Sequence, residues 1–123
     1  MPIPSDYQNI VDNLLSATEA GRAKWGRTKF GFDISILESK FIIWSGTDEE
    51  SDQGFVSFAL ADDAGKNLDT WYVDETDSDY DKMQRLCNGA KRQALGIAKL
   101  LSSLQVAIQS GEIIGKSDDD LPF

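Results

Sequence analysis

Histidine is absent from all 123 residues, and cysteine occurs once, as Cys87. The first absence removes the commonest general base and the commonest metal ligand at neutral pH. Together the two shortages leave no Ser-His-Asp set, no Cys-His pair and no structural zinc site to assemble. A lone cysteine forms no internal disulfide, which points to a reducing cytoplasm. Long apolar runs are missing too. The longest, such as Phe41–Trp44, span four residues, against the roughly 20 that a membrane helix needs. The opening residues Met1 to Asp6 show neither the basic nor the apolar region of a secretory leader. No glycine-rich phosphate loop or cofactor fingerprint occurs, so no cofactor is expected and the chain reads as non-enzymatic.

What the chain has in excess is acid. Twenty-one Asp and Glu face twelve Lys and Arg, a formal charge of −9. That balance opposes broad, non-specific attachment to nucleic acid, so any contact with DNA depends on where the cations lie. The hydrophobic fraction of 41% with 27% charged residues is ordinary for a globular chain. A length of 123 residues suits one domain with a modest core.

Periodicity sets out the elements. Residues 5 to 22 read as an amphipathic helix through Tyr7, Ile10, Val11, Leu14, Leu15 and Thr18, capped by Ser5 or Asp6 and stopped at Gly21. Four strands follow. Phe30, Phe32, Ile34 and Ile36 alternate with Gly31, Asp33 and Ser35 in the first. The second covers Lys40 to Ser45, the third Gly54 to Ala61 and the fourth Leu68 to Val73. Their short connections favour an antiparallel meander. Residues 78 to about 109 read as one long helix with an inner stripe of Tyr80, Met83, Leu86, Cys87, Ala90, Ala94, Ile97, Leu101, Leu104 and Ile108. Asp77 or Ser78 would cap it. About 32 residues would span roughly 48 Å, more than a four-stranded sheet covers. The helix therefore either bends at Gly96 or packs its far end on a second protomer, as a homo-oligomer. The expected fold class is α+β: helix, four-stranded antiparallel meander and long C-terminal helix in a two-layer sandwich. The expected domain covers residues 1–114, followed by a disordered acidic tail over 115–123.

Within the body, Gly21 to Phe32 is the most suggestive segment. It carries Arg22, Lys24, Arg27 and Lys29 without an acid, interleaved with Trp25 and Phe30. Cations for phosphates and rings for stacked bases are what a binder of single strands requires. In the plainer alternative this is a helix-to-strand connection with Trp25 plugging the core. A second basic feature, Arg85, Arg92 and Lys99, recurs every seven residues on the last helix, with Lys82 nearby. It is either part of a positive groove or a solvated face. Asp77, Asp79 and Asp81 have the opening spacing of a calcium loop. Lys82 stands where the turn glycine belongs, however, and Asn88 replaces the bidentate Glu. Helix capping is the better account, and no metal is expected. Cys87 falls on the inner stripe and reads as core.

The chain ends Asp118-Asp119-Asp120-Leu121-Pro122-Phe123. Three carboxylates, an aliphatic, a proline and a terminal ring resemble the acidic tip of bacterial single-stranded DNA-binding proteins, which typically ends Asp-Asp-Ile-Pro-Phe. At average residue usage such an ending arises by chance in about one chain in a million. The resemblance covers six to eight residues and none of the body. The family builds its body as an OB-fold, a five-stranded Greek-key barrel, and this chain departs from that pattern. In that family the tip recruits replication, recombination and repair enzymes and does not grip DNA. A terminal carboxylate held by a cation, beside a pocket for the Phe123 ring, accounts physically for such docking.

The resemblance implies a non-enzymatic accessory protein of DNA replication, recombination or repair, bacterial or phage in company. Its tail would recruit proteins that read acidic Pro-Phe tips. Its body would be a candidate for weak single-stranded DNA binding through Arg22, Lys24, Trp25, Arg27, Lys29, Arg85, Arg92 and Lys99. The alternative is a protein–protein interaction domain unrelated to DNA, chaperone-like or immunity-like, whose sheet binds another polypeptide.

Overall fold

The computed structural model describes residues 2–111. A 3₁₀ turn, Ser5–Tyr7, leads into α1, Gln8–Glu19. Five strands follow: β1 Gly26–Arg27, β2 Phe32–Ile36, β3 Ser39–Thr47, β4 Gly54–Asp62 and β5 Asn67–Asp74. Two helices close the described chain, α2 Tyr80–Ala94 and α3 Ile97–Gln109. The strands pair antiparallel in sequence order, β1-β2-β3-β4-β5, so β1 and β5 are free edges and no barrel closes.

The class is α+β, with a strand and a helix more than the sequence pattern suggests. The extra strand is β1, a two-residue partner of Asp33 and Phe32. Glycine at 31 lets it form, because a Cβ there would sit 2.2 Å from the Ile43 carbonyl oxygen. Phe30, expected at the head of the first strand, instead lies in the turn before β2. The extra helix comes from a break at Gly96, the position at which a bend was one of the two expected outcomes. Gly96 adopts φ +65, where a side chain would be strained, and donates its N–H to the Gln93 carbonyl to close α2. Its own carbonyl accepts the Leu100 N–H and so opens α3.

The register places Phe32, Ile43, Phe58 and Trp71 in one cross-strand row, with Ile34, Phe41 and Leu60 in the next. Together with Val56 and Val73 they present an apolar face. Met83, Leu86, Cys87 and Ala90 of α2 and Val11, Leu14 and Leu15 of α1 join them in a single core. Phe58 stacks on Trp71 at 5.1 Å between centroids, and Tyr7 meets both rings edge-on. The Tyr7 hydroxyl donates to Asp69 at 2.8 Å. Burial first, and then this carboxylate, push the phenol up to about 12.

The helix ends differ from expectation at two starts and agree at one stop. Neither Ser5 nor Asp6 caps α1, and neither Asp77 nor Ser78 caps α2, which begins after Asp79 without a side-chain cap. Those carboxylates tie loops together: Asp77 accepts the Asp74 N–H at 2.9 Å, and Asp79 accepts the Ile3 N–H at 2.9 Å. Gly21, at φ +77, does end α1. The Arg22 N–H bonds to the Ala17 carbonyl and the Gly21 N–H to that of Thr18, the paired bonds of a Schellman motif.

Candidate functional site

The cations and rings singled out in the sequence are sorted by the connection from α1 to β2. Past Gly21 the chain runs extended, with Ala23 and Trp25 inward and Lys24 and Gly26 outward. Trp25 is 5% exposed. Its indole N–H donates to Thr18 Oγ1 at 3.0 Å, and its backbone N–H donates to the Gln93 side chain. Gly89 lets α1 lie close here, since a Cβ on it would come within 2.8 Å of Thr18 Cγ2. Trp25 thus bolts the end of α1 to α2 and offers no face to a base in this conformation. Of the two readings of this connection, the conformation is the one in which Trp25 plugs the core.

The exposed ring is Phe30. The turn from Thr28 to Gly31 is fixed by the Thr28 N–H on the Gly31 carbonyl at 2.8 Å and the Gly31 N–H on Thr28 Oγ1 at 3.0 Å. It holds Phe30 out at 77% exposure, with Lys29 Nζ 5.3 Å from the ring centroid. Lys29 and Phe30 therefore form a cation–π pair in solvent rather than a buried strand end.

Below this turn lies a groove of about 310 Å³ between the β1–β2 hairpin and α2, lined by Arg27, Phe30, Trp44, Asn88 and Lys91 among others. Asn88 also lines a larger hollow of about 560 Å³ at the α1–α2 seam, beside Arg92 and Gln93. Asn88, Lys91 and Arg92 thus join the two into one continuous surface. Among the described residues, Arg27, Lys91 and Arg92 have no ion-pair partner. Lys91 and Arg92 sit in the last turn of α2, where positive charge also offsets the negative end of the helix dipole.

Not every expected cation belongs to this surface. Arg85 is held by Glu19 of α1 in a two-pronged contact of 2.6 and 3.3 Å, and Lys82 by Asp12 at 2.8 Å. Arg22 lies on another flank, beside Ile10, Leu14 and Ile36. Lys24 is exposed, and Lys99 lies beyond the Gly96 break on α3. The tip, Asp118 to Phe123, lies outside the described residues. The sequence pattern assigns Lys91, Asn88 and Trp44 to no binding site. Only the pairing of β1 with β2 brings them opposite Arg27.

Burial pushes the Cys87 thiol up, which keeps it protonated and unreactive. Among the described residues, no group of three or more His, Cys, Asp or Glu side chains is placed to hold a metal ion. None of the described helices is long and apolar enough to cross a membrane. On the open face of the sheet, Phe55, Ser57 and Tyr72 line a hollow of about 340 Å³ rimmed by Asp48 and Asp74. Its rim would repel phosphate. Comparison with protein families, characterised proteins and solved structures finds no match for this chain.

Proposed function

We propose that the chain is a non-enzymatic, cytoplasmic accessory protein of DNA replication, recombination or repair. The sequence Asp118 to Phe123 carries this reading: an acidic, Pro-Phe-ended tip of the kind that recruits enzymes to single-stranded DNA-binding proteins. The tip acts as the docking peptide, and the body holds single-stranded DNA weakly. The surface that supports strand binding is the one around Arg27, Lys91 and Arg92, with Phe30 as its stacking ring. Free cations take phosphates, and an exposed ring beside a lysine takes a base.

Titration with oligo-dT at low and moderate salt tests the body. Trp44 lines the groove while Trp25 and Trp71 are buried, so Trp44 is the reporting fluorophore. The expected result is a quench that weakens with salt and shrinks in Phe30→Ala, where losing one stacked base costs about 1–3 kcal/mol. A flat response at low salt removes the strand-binding half of the proposal. The tip is tested separately. Deleting Phe123 should abolish capture of proteins that read Pro-Phe tips and leave the unfolding midpoint unchanged.

The hollow at Phe55 and Tyr72 favours a second reading, an interaction domain whose sheet face takes a polypeptide. Its acidic rim selects a basic, apolar segment. That reading gains ground if Tyr72→Ala, and not Phe30→Ala, abolishes partner binding.

A further inference from the structure

We propose that α3 is a self-association helix that pairs with α3 of a second copy. At 100° per residue Ile97, Leu100, Leu101, Leu104, Ala107 and Ile108 fall on one arc of about 120°, the width of a core-facing helix stripe. None of them is buried. Leu100, Leu101, Leu104 and Ile108 are each about half exposed. A helix of 13 residues is marginal in water unless packing supports its apolar face. Past the left-handed turn at Gly96, α3 buries no side chain against the other described elements.

The chemistry of the arc selects its occupant. Lys99 is the one charged residue of α3, and it points away from the arc. An anionic membrane surface or a nucleic acid needs a basic polar face, and a single lysine does not make one. The arc calls for a neutral apolar helix face, and α3 is such a face. Ile97, Leu101, Leu104 and Ile108 are spaced four, three and four apart, the repeat with which identical helices interlock. Two copies also meet here without the like-charge repulsion that a chain of −9 imposes over most of its surface. Residues 112–123 carry Ile113 and Ile114 as well as the three carboxylates of Asp118 to Asp120, so they are the competing cover that the test separates from a second copy.

Area sets the strength. A standard interface uses roughly 20–30 residues a side, more than the 13 of α3. The pair should therefore dissociate in the micromolar range and not be obligate. The association stands independently of what the tip or the groove binds.

Sedimentation of the full chain from low micromolar to near-millimolar concentration is the test. The mass should rise from one chain to two. The double variant Leu101→Glu with Leu104→Glu should raise the dissociation constant more than about tenfold, with the near-ultraviolet signal of buried Trp25 and Trp71 unchanged. A wild-type chain that stays monomeric throughout overturns the proposal. If removing residues 112–123 then yields dimers, the cover is the chain's own end. A dimer that survives the double variant overturns it equally, since another surface is then holding the copies together.

Discussion

From Tyr80 to Ile108 one repeat of apolar residues runs without a gap, yet its first half is sealed in the core and its second half stands in solvent. Met83, Leu86 and Ala90 of α2 are wholly buried, while α3 buries nothing. Both halves carry the same pattern, so the pattern alone does not say what a face meets. The difference is made by one backbone torsion, at Gly96, and by the extent of the sheet. α2 crosses β2 to β5, and α3 begins where the sheet has run out. Periodicity reports that a face is apolar, and the supporting layer decides whether that face is sealed.

The sharpest way to break this comparison is to truncate one leucine in each half. Leu86→Ala should cost about 2–5 kcal/mol, because a sealed side chain leaves a cavity. Leu104→Ala, studied below the association range, should stay within about 0.5 kcal/mol. Urea titration of both variants reads the contrast, and equal losses would mean that α3 packs on its own body.

Next in size is the elbow itself. Gly96→Ala meets no neighbour within 4 Å, so only the backbone objects to the new side chain. A left-handed alanine costs about 1–2 kcal/mol, which should drive α2 and α3 towards one continuous helix. Spin labels at residues 88 and 105 would record a longer separation in the variant.

The packed half also contains a titration. The Tyr7 phenol, at about 12 when folded, stands above its ordinary 10.0. A value raised on folding contributes stability that is complete below the ordinary value and lost as pH climbs towards the folded one. Stability should therefore hold up to about pH 10 and fall between 10 and 12. Tyr7→Phe should remove that alkaline loss and lower neutral stability by about 1 kcal/mol through the missing bond to Asp69. Thermal melts at stepped pH follow both.

Arg85→Ala should also have a small effect. Both partners of the Arg85–Glu19 pair are about half exposed, so its loss should cost under about 1 kcal/mol and shrink further in salt. A larger loss would mean that the seam between α1 and α2 is electrostatic, not apolar.

The strands that alternate over five or more residues were legible because large apolar side chains recur at every second position on the core face, as Val56, Phe58 and the half-buried Leu60 do. α1 and its stop at Gly21 were legible from helical spacing and the need for a positive φ. β1 was not. Two residues carry no period, and their pairing depends on the missing Cβ of Gly31 fitting under the Ile43 carbonyl. Phe30 misled because it continues the alternation of β2 one step too far, into a turn where the ring points out. Trp25 resembled a stacking ring because its neighbours are cations, but its indole N–H had a buried partner seven residues upstream, in Thr18. For the candidate site, Arg27 and Arg92 were visible as cations. Lys91 was not singled out because it sits beside the seven-residue spacing rather than on it, and only the hairpin fold brings it opposite Arg27.

The 13 residues of α3, rising about 1.5 Å each, make a boom roughly 20 Å long between the body and residue 112. Mobile salt fades a charge over about 8 Å under physiological conditions. The Ile108 end of the helix is thereby electrically decoupled from the acidic loops at the head of α2. A visitor arriving at the Ile108 end of the helix would feel little of the charge carried by those loops.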